Sequence, residues 1–309
     1  MRLIFFGSGS FGLPTLRAVM RDHEVLQVVS QPDRPAGRRR HMTPTPISAY
    51  ALESGLPLAR FECVNADDAM RALQALEADA WVVIAYGQKL SQPLLREQFA
   101  INLHGSLLPR WRGAAPIHHA VLAGDTQTGV SVITLADRMD AGDVLAAAVV
   151  PILTSDTTGL LHATLAERGS TVVDTVLQSH RANSLRPQPQ DEAMATAAPK
   201  VTRAQAHIDP AMAPSMLRTT INGCAPWPGV TATIGGHGLR LLQADTCGDA
   251  QPLGTVSIAG VVGCAGGCVR LLEVQPDGGR PMPFEAWARG RRLEWPAAFT
   301  GAVADTQAP

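Results

Sequence analysis

The sequence predicts an α/β protein in which an open, mostly parallel, doubly wound sheet is followed by a small C-terminal β-barrel domain. Three observations support this prediction. Short apolar runs alternate with helical patterns in the first half, strand patterns between glycine-rich turns fill the last third, and a proline-rich polar stretch separates them. A chain of 309 residues is also too long for one ordinary core. We therefore expect a first domain at residues 1–182, a linker at 183–203 and a second domain at 204–309.

Strands and helices alternate in the predicted first domain. Its strands are short, continuous apolar runs, as expected of strands that are covered on both faces of a parallel sheet. The predicted strands are Leu3–Phe6, Val25–Ser30, Trp81–Ala85, Ile101–Leu103 and Val130–Leu135. The predicted helices have apolar residues at helical spacing and are Leu13–Met20, Ile47–Gly55, Asp67–Leu76 and Thr157–Gln178.

The pattern changes after the first domain. Pro187, Pro189 and Pro199 lie among Gln, Asp and Ala residues, a composition that favours a linker. The strand patterns beyond it are typical of a small antiparallel, OB-like barrel: Val230–Ile234, Leu239–Ala244, Gly254–Ile258 and Val269–Val274. From Ala302 onward we expect a frayed end.

Composition limits the class of protein and of partner. Hydrophobic residues make up 46% and charged residues 17%, which is typical of a soluble globular protein. The net charge of −1 predicts no general attraction to nucleic acid, so a polyanionic partner would need a local basic patch. No apolar run reaches the roughly 20 residues that span a bilayer, and the start lacks the features of a signal peptide. We therefore expect a cytoplasmic protein with no membrane association and, by default, a monomer.

The cysteines show neither paired spacing nor the pattern of a zinc site, and their number is odd. They are Cys63, Cys224, Cys247, Cys264 and Cys268. We interpret them as free thiols in a reducing compartment and expect no metal.

A glycine motif follows the first predicted strand. Gly7–Gly12 matches G-x-G-x-x-G, which in a dinucleotide-binding fold brings the backbone close to a pyrophosphate. That fold also needs an acidic residue closing the second strand, but here the strand ends at Ser30 and Asp33 follows a proline. We interpret the motif as a tight strand-to-helix turn; a phosphate contact and a nicotinamide enzyme stay as alternatives.

Three side chains form the candidate chemistry. Asn102 and His104 are two residues apart on a predicted strand and therefore share a face, at the strand end where open α/β sheets bind ligands. Asp140 follows the Val130–Leu135 strand in a glycine-containing loop. This set suits acyl transfer to an amine: the amide stabilises the oxyanion, the imidazole exchanges protons or as imidazolium helps to hold the oxyanion, and the carboxylate orients the ring.

Taken alone, these residues have a simpler interpretation. An Asn-x-His pair on a strand is more often a pair of satisfied hydrogen-bonding side chains, and a lone aspartate is more often a turn or cap residue. The surrounding sequence decides between the two interpretations.

That surrounding sequence resembles the methionyl-tRNA formyltransferases, within the larger group of 10-formyltetrahydrofolate-dependent transferases. The similar segments are NLHGSLLPRWRGAAPI at 102–117 and MDAGD at 139–143. The resemblance implies a Rossmann-like formyltransferase domain, catalytic roles for Asn102, His104 and Asp140, and no metal. It implies that 10-formyltetrahydrofolate is the co-substrate. The residues implied to bind it are Tyr86, Gly87, Ser106, Leu107, Leu108 and Pro109.

Two further segments resemble the tRNA-specific members of that group. The basic loop Gln31–Arg40 has four arginines that suit phosphate contacts, Arg34, Arg38, Arg39 and Arg40, and Arg38 matches the loop arginine that the family uses on tRNA. Asn222–Gly229 and Val274–Gly278 resemble the small β-barrel domain that lies alongside tRNA. The implied reaction is formyl transfer from 10-formyltetrahydrofolate to the α-amino group of methionyl-initiator tRNA.

One departure keeps an alternative open. From Ala204 onward the chain has seven arginines, no lysine and eight acidic residues, so its net charge is about −1 (7 − 8), where relatives present a more basic face. Taken alone, the basic loop would be a solvated surface loop. The alternative is a folate-dependent formyltransferase that acts on a small amine, such as an amino sugar or a natural-product precursor.

Overall fold

A computed structural model describes residues 1–37 and 40–301 of the chain. Packing divides the chain into two compact units. The described parts of Met1–Arg112, Gly129–Val149 and Ala163–Ala197 form the first, and those of Gly113–Thr128, Val150–His162 and Ala198–Pro309 form the second. The boundaries that the sequence suggests, at residues 182 and 204, stay a prediction. The predicted frayed end, from residue 302, and Arg38 and Arg39 lie outside the described residues.

Strands and helices alternate through the first 182 residues. The strands are β1 (Arg2–Gly7), β2 (Glu24–Ser30), β3 (Arg34–Ala36), β4 (His41–Thr43), β5 (Leu58–Arg60), β6 (Ala80–Ile84), β7 (Ala100–His104), β8 (Gln127–Thr134) and β9 (Val144–Pro151). The helices are α1 (Leu13–Asp22), α2 (Pro46–Glu53), α3 (Asp67–Gln74), α4 (Gln92–Leu95), α5 (Pro116–Leu122) and α6 (Thr158–Arg181).

The main sheet has the strand order β5-β2-β1-β6-β7-β8-β9. β1 pairs in parallel with β2 and β6, β2 pairs in parallel with β5, and β6 pairs in parallel with β7. β8 is antiparallel to β7. The predicted open, mostly parallel sheet is therefore confirmed. The edge strand β9 was not predicted; its valines favour a strand, but the three consecutive alanines at its centre do not.

Helices cover both faces of this sheet, as β1 shows. Alternate residues of a strand point to opposite faces. Ile4 and Phe6 belong to one buried cluster with Leu73 of α3, whereas Phe5 lies beside Ile47 of α2. The doubly wound arrangement thus follows from an apolar strand whose successive side chains are all buried.

Helix α6 packs against the face of β7 that carries the Leu103 side chain. Leu103 is 3% exposed, and a Cβ built on Gly169 of α6 would lie only 2.5 Å from its Cδ2. The helix therefore approaches the strand so closely that only a residue without a side chain fits over Leu103. This packing leaves the neighbours of Leu103 on the opposite face of the strand.

The C-terminal part of the second unit is a closed antiparallel barrel. Its strands are β10 (Val230–Ile234), β11 (His237–Thr246), β12 (Thr255–Val256), β13 (Val261–Cys264), β14 (Gly267–Pro276), β15 (Met282–Pro283) and β16 (Ala297–Gly301), and its helices are α7 (Pro214–Gly223) and α8 (Phe284–Arg289). The order is β11-β10-β16-β12-β13-β14-β15, and a further pairing of β11 with β14 closes the barrel. The predicted C-terminal barrel is confirmed.

One predicted strand of the barrel is shorter than expected. The pattern Gly254–Ile258 forms only the two-residue strand β12, because a turn begins at Ser257, whose carbonyl accepts from Gly260 N at 2.9 Å. β13 and β16 were not predicted. β13 pairs with its neighbours β12 and β14, whereas β16 completes the barrel through pairing with the distant strands β10 and β12, which a local pattern does not reveal.

A buried asparagine ties α7 to the barrel. Asn222 is fully buried, donates through Nδ2 to the Ala244 carbonyl at 2.8 Å, and accepts from Ala244 N at 2.8 Å. The amide thus acts as a backbone-like partner for β11. Leaving either group buried and unpaired would cost about 1–3 kcal/mol.

We predict that Leu103→Ala destabilises the protein by roughly 2–5 kcal/mol, because a buried leucine leaves a cavity that α6 cannot fill. The measurement is the midpoint of urea unfolding followed by circular dichroism. Leu52→Ala is the matched control: Leu52 is 59% exposed on α2, and we expect a change within about 0.5 kcal/mol. Equal midpoints for the two variants would contradict the packing described for β7.

Candidate active site

The candidate site lies at the C-terminal end of β7. The strand places Asn102 opposite Val83 of β6 and Ile133 of β8, and it places His104 opposite Ser131 of β8. Because side chains alternate along a strand, Asn102 and His104 share the face opposite Leu103. The structure therefore brings these two predicted residues together.

The imidazole of His104 is buried, at 6% exposure, and its two nitrogens face different acceptors. Nε2 lies 2.8 Å from the carbonyl oxygen of Trp111, and Nδ1 lies 3.6 Å from Oδ2 of Asp140. A carbonyl oxygen can only accept, so Nε2 carries a proton in this arrangement. A second proton, on Nδ1, would face the Asp140 carboxylate. The arrangement therefore suits a ring that gains and loses its proton at Nδ1.

Asp140 reaches His104 from the loop between β8 and β9. Its side chain is 13% exposed, and its φ of 54° lies in the left-handed region, which aspartate tolerates better than most residues. Two positions later, a Cβ on Gly142 would lie 1.8 Å from the carbonyl oxygen of Thr134. The loop thus returns tightly along β8, and this close return requires glycine.

Trp111, the other partner of His104, also has a strained backbone. Its φ is 64°, an unusual value for a bulky residue. Its amide donates to Oγ1 of Thr196 at 2.9 Å, and the guanidinium of Arg110 lies 4.3 Å from the centre of its indole ring. The carbonyl of Trp111 belongs to the next peptide, whose amide, Arg112 N, donates to the Thr196 carbonyl at 2.8 Å, and this bond orients the Trp111 carbonyl that faces Nε2.

The side-chain amide of Asn102 is half-buried and makes no hydrogen bond to residues 1–37 or 40–301. An amide at the mouth of a sheet, beside an imidazole, has two N–H donors available for a ligand. Its position on the same strand as His104 gives the site a fixed donor.

The predicted segment 106–109 is anchored to β8 by Ser131. Ser131 Oγ donates to the Ser106 carbonyl at 2.8 Å and accepts from Leu108 N at 3.1 Å. Ser106 is itself fully buried, and its Oγ donates to the Arg110 carbonyl at 2.6 Å. Sequence reasoning missed Ser131; a serine between two valines of a buried strand was the available signal.

Leu107 and Pro109 complete this turn. A Cβ on Gly129 of β8 would lie 2.5 Å from Cδ2 of Leu107, so this leucine packs against the sheet. The carbonyl of Pro109 accepts from Thr196 N at 3.3 Å. The turn is therefore rigid, with most of its polar groups satisfied internally.

Tyr86 and Gly87 follow β6. The ring of Tyr86 is 2% exposed and lies 5.5 Å from the ring of Phe6, and its carbonyl accepts from Ser8 Oγ at 2.8 Å. Burial, with a smaller effect of Cys63, raises the pKa of Tyr86 to about 12. The Tyr86 side chain thus belongs to the core, so only the backbone at 85–87 is left to face a ligand. Gly87, with φ 94°, provides an unhindered backbone there.

The glycine turn after β1 is satisfied by the protein itself. Ser8 N and Gly9 N both donate to the carbonyl of Ala85, at 3.2 and 3.3 Å. A Cβ on Gly7 would lie 2.7 Å from the ring of Phe5. These contacts favour the interpretation of the glycine motif as a tight turn and disfavour its interpretation as a phosphate-binding loop.

The basic loop forms a small hairpin of β3 and β4. Arg34, opposite Thr43 in this hairpin, forms an ion pair with Glu62 at 2.9 Å, and both side chains are largely exposed. Arg40 is exposed, with φ 49°. The site positions predicted at 38 and 39 lie outside the described residues. Exposed ion pairs of this kind contribute about 0–1 kcal/mol, so Arg34 is readily available to another anion.

A segment between residues 188 and 197 was interpreted from sequence only as part of a linker. Gln190 Nε2 donates to the carbonyls of Asp140 and Gly142, at 2.8 and 2.7 Å. Arg112 N donates to the Thr196 carbonyl at 2.8 Å. The segment therefore touches both loops that supply partners to His104. No local sequence pattern predicts these contacts, since they join residues about 50 to 85 positions apart.

Two other kinds of site are absent from the described part of the chain. No cluster of three or more His, Cys, Asp or Glu side chains there could hold a metal ion. No helix there is long and apolar enough to cross a membrane.

Comparison with known proteins identifies the family. The formyl transferase model matches residues 1–177, and the model of the formyl transferase C-terminal domain matches residues 200–292. A methionyl-tRNA formyltransferase from Paracoccus denitrificans is 40% identical over 295 residues, which cover 95% of this chain and 98% of that protein.

Two solved structures share the fold. HypX from Aquifex aeolicus, solved with tetrahydrofolic acid, has a TM-score of 0.64 at 18% identity; the match covers 96% of this chain and 48% of HypX, so this chain spans about half of HypX. An N-formyltransferase from Helicobacter canadensis, solved with folinic acid and dTDP-3-aminofucose, has a TM-score of 0.65 at 12% identity, covering 87% of this chain and 98% of that one. The chain belongs to the formyl transferase family and, within it, to the methionyl-tRNA formyltransferases.

Proposed function

We propose that this chain is a methionyl-tRNA formyltransferase that transfers the formyl group of 10-formyltetrahydrofolate to the α-amino group of methionyl-initiator tRNA. The product is formyl-methionyl-tRNA for translation initiation. The observation that carries the proposal is the placement of His104 between the Trp111 carbonyl and the Asp140 carboxylate, beside the Asn102 amide. The relative that shares 40% of its sequence is named for this tRNA reaction. The amino-sugar alternative has weaker support, because the Helicobacter enzyme is similar only in fold.

Asn102 stabilises the charge that forms during transfer. The amine attacks the formyl carbon, and the carbonyl oxygen becomes negative in the tetrahedral intermediate. An N–H donor placed at that oxygen is worth about 2.7–4 kcal/mol. Asn102 supports this role because its amide is held on a strand and makes no other hydrogen bond in the described structure.

His104 and Asp140 move the proton. The attacking nitrogen must lose a proton, and the N10 nitrogen of the folate must gain one as the bond to the formyl carbon breaks. His104 takes up and returns this proton, while its Nε2–H stays directed at Trp111. Asp140, 3.6 Å from Nδ1, orients the ring and balances its charge when the ring is doubly protonated. No nucleophilic side chain is needed, because the substrate supplies the attacking amine.

The groups around the site fit a folate co-substrate. A pteridine is flat, with a polar edge that backbone groups can bind. The rigid turn Ser106, Leu107, Leu108 and Pro109 and the backbone at Tyr86 and Gly87 would hold it, with 10-formyltetrahydrofolate bound so that its formyl carbon lies by Asn102. The unhindered backbone at Gly87 supports this placement. When bound, the folate supplies the formyl group and the leaving nitrogen.

The tRNA would be bound by the basic loop and by the C-terminal barrel. Arg34, Arg38, Arg39 and Arg40 provide the positive charge for phosphate contacts. We also propose that residues 1–182 form the catalytic domain, residues 183–203 the linker and residues 204–309 the tRNA-contacting domain, which the family matches at 1–177 and 200–292 support. The protein would act as a cytoplasmic monomer.

The reaction can be tested directly with purified protein and 10-formyltetrahydrofolate. We expect formyl-methionine on charged initiator tRNA and much less on elongator methionyl-tRNA, measured by release and chromatography of the amino acid. Aminated nucleotide sugars provide the comparison substrate. Formylation of the sugars without formylation of the tRNA would establish the alternative instead.

Replacement of the catalytic residues should reduce formyl transfer without unfolding the protein. We expect losses in kcat/KM of roughly 10²–10⁴-fold for His104→Ala and Asp140→Ala. For Asn102→Ala we expect roughly 10²–10³-fold. Glu53→Ala, at an exposed residue of α2 outside the proposed catalytic and tRNA-contacting residues, is the control and should keep full activity. Wild-type activity in either the His104 or the Asp140 variant would refute the assigned roles.

The basic loop can be tested through salt dependence. Changing Arg38, Arg39 and Arg40 to Ala should weaken tRNA binding and flatten the plot of log K against log salt by up to about 0.9 per lost phosphate contact, because fewer counterions are released. The control variant also loses three positive charges, but at exposed arginines outside the loop: Arg71, Arg96 and Arg168. If both variants show the wild-type slope, the loop does not contact phosphate.

A further inference from the structure

We infer that Gln190 is a positioning residue of the active site, which sets the conformation of the Asp140 loop and thereby the place of the Asp140 carboxylate against His104. This inference rests on the proposed function. It assigns a part in the reaction to a segment outside both sequence signatures. We call residues 188–197 the strap.

Gln190 contacts the loop through both N–H bonds of its side-chain amide. Nε2 lies 2.8 Å from the Asp140 carbonyl and 2.7 Å from the Gly142 carbonyl. The first of these carbonyls follows directly after the Asp140 Cα, where φ is 54°, and the second lies two residues later. A backbone in this sparsely populated region persists only when its surroundings hold it there. The two hydrogen bonds from Gln190 provide such a hold on the C-terminal side of the Asp140 residue.

The amide of Gln190 is fixed in turn by Arg112. The Gln190 Oε1 accepts from Nε and from one terminal nitrogen of Arg112, at 3.0 and 2.8 Å. These bonds also settle which atom of the Gln190 amide is the oxygen, because a guanidinium can only donate. The N–H groups must therefore point at the Asp140 loop.

Glu192 holds the other edge of the same guanidinium. Its carboxylate accepts from Arg112 at 3.0 and 3.1 Å and from Arg138 at 2.7 Å. These hydrogen bonds, that of Arg112 first, lower the pKa of Glu192 to about 2, so its charge persists through the neutral range. Arg112 is thus oriented by two residues of the strap, and it directs Gln190.

The strap extends the strand pairing beside the same loop and reaches the second partner of His104. Gln188 and Val144 exchange two backbone hydrogen bonds, at 2.8 and 2.9 Å, immediately after the Asp140 loop. At the far end, Thr196 Oγ1 accepts from Trp111 N at 2.9 Å. Both groups that face the His104 ring, one at each nitrogen, are therefore held by one stretch of ten residues.

The test is Gln190→Glu. This change keeps the size of the side chain and both acceptor contacts to Arg112, but it removes the two N–H donors and places an acceptor against the Asp140 and Gly142 carbonyls. We expect kcat for formyl transfer to fall roughly 10- to 100-fold, as for a small displacement of a catalytic group. Gln190→Met, which lacks both donors and adds no charge, should show a loss of similar size.

Gln74→Glu is the matched control. Gln74 is also half-buried, and its Nε2 also donates to two backbone carbonyls, those of Pro93 and Leu94, at 3.0 and 3.3 Å. The same chemical change there should lower thermal stability by a similar amount and leave kcat within twofold of wild type. Comparing the two variants distinguishes the general effect of losing two amide hydrogen bonds from the specific effect of losing them at the Asp140 loop.

A double-mutant cycle identifies the route of the effect. If Gln190 acts through the Asp140 carboxylate, then Gln190→Glu should change the single-turnover rate less than threefold in an Asp140→Asn background. General structural damage would instead give the full loss in both backgrounds. The ¹⁵N resonances of the His104 ring provide a readout without activity: their pH response should change in Gln190→Glu and match wild type in Gln74→Glu.

The inference is overturned if Gln190→Glu reduces kcat less than threefold relative to Gln74→Glu, or if the loss is unchanged in the Asp140→Asn background. Either result leaves the proposed function standing, because the wild-type protein would still transfer formyl groups. Conversely, a wild-type protein that formylates nothing would remove the proposed function, while the ¹⁵N resonances would still report whether Gln190 positions Asp140 against His104.

Discussion

The site depends on how one imidazole is held. An oxygen atom faces each ring nitrogen of His104: the Trp111 carbonyl accepts a hydrogen bond from Nε2 at 2.8 Å, and the Asp140 carboxylate lies 3.6 Å from Nδ1. The carbonyl has no proton to give, so it fixes one N–H and leaves proton exchange to the nitrogen that faces the carboxylate. Because the ring is buried, it has little water to turn toward, and its orientation follows from these two partners.

Both residues that contact the His104 ring have a backbone conformation that is unfavourable without support from neighbouring residues. Trp111 and Asp140 have φ values of 64° and 54°, and such conformations cost of order 1–3 kcal/mol where side chains are present. Contacts with surrounding residues stabilise these two conformations, which the local sequence does not favour. Thr196 binds the Trp111 peptide, Gln190 binds the peptide carbonyl of Asp140, and Gly142 lets its loop pass close to β8. Catalytic geometry and backbone support are therefore parts of one network.

The same network explains why the polar groups of the predicted folate turn are mostly satisfied within the protein. Ser131 donates a hydrogen bond to Ser106 and Ser106 donates one to Arg110, so the turn is ordered by hydrogen bonds within the protein. The side-chain amide of Asn102 is different, since it has no hydrogen-bond partner within the described structure. Under the proposed function, the ordered turn and the two unpaired N–H donors of Asn102 would bind the developing charge without reorganising first.

Local pattern was enough to predict much of this protein. Continuous apolar strands predicted the parallel sheet, and the turn-rich C-terminal third predicted the barrel, because period and turn chemistry are local properties. The two-residue spacing placed Asn102 and His104 on one face, and the family resemblance was borne out by the relatives. The roles of these residues and the domain boundaries stay predictions.

Tertiary structure decided the rest. It buried the Tyr86 ring, it ended β12 at Val256, and it brought Gln190 and Thr196 to the loops of Asp140 and Trp111. A composition rich in proline and polar residues predicts a linker, and it has no signal for a carbonyl 50 residues away that needs a donor. Hydrogen bonds between segments distant in sequence depend on the tertiary packing that brings the segments within reach of each other. The pattern of neighbouring residues therefore does not reveal them.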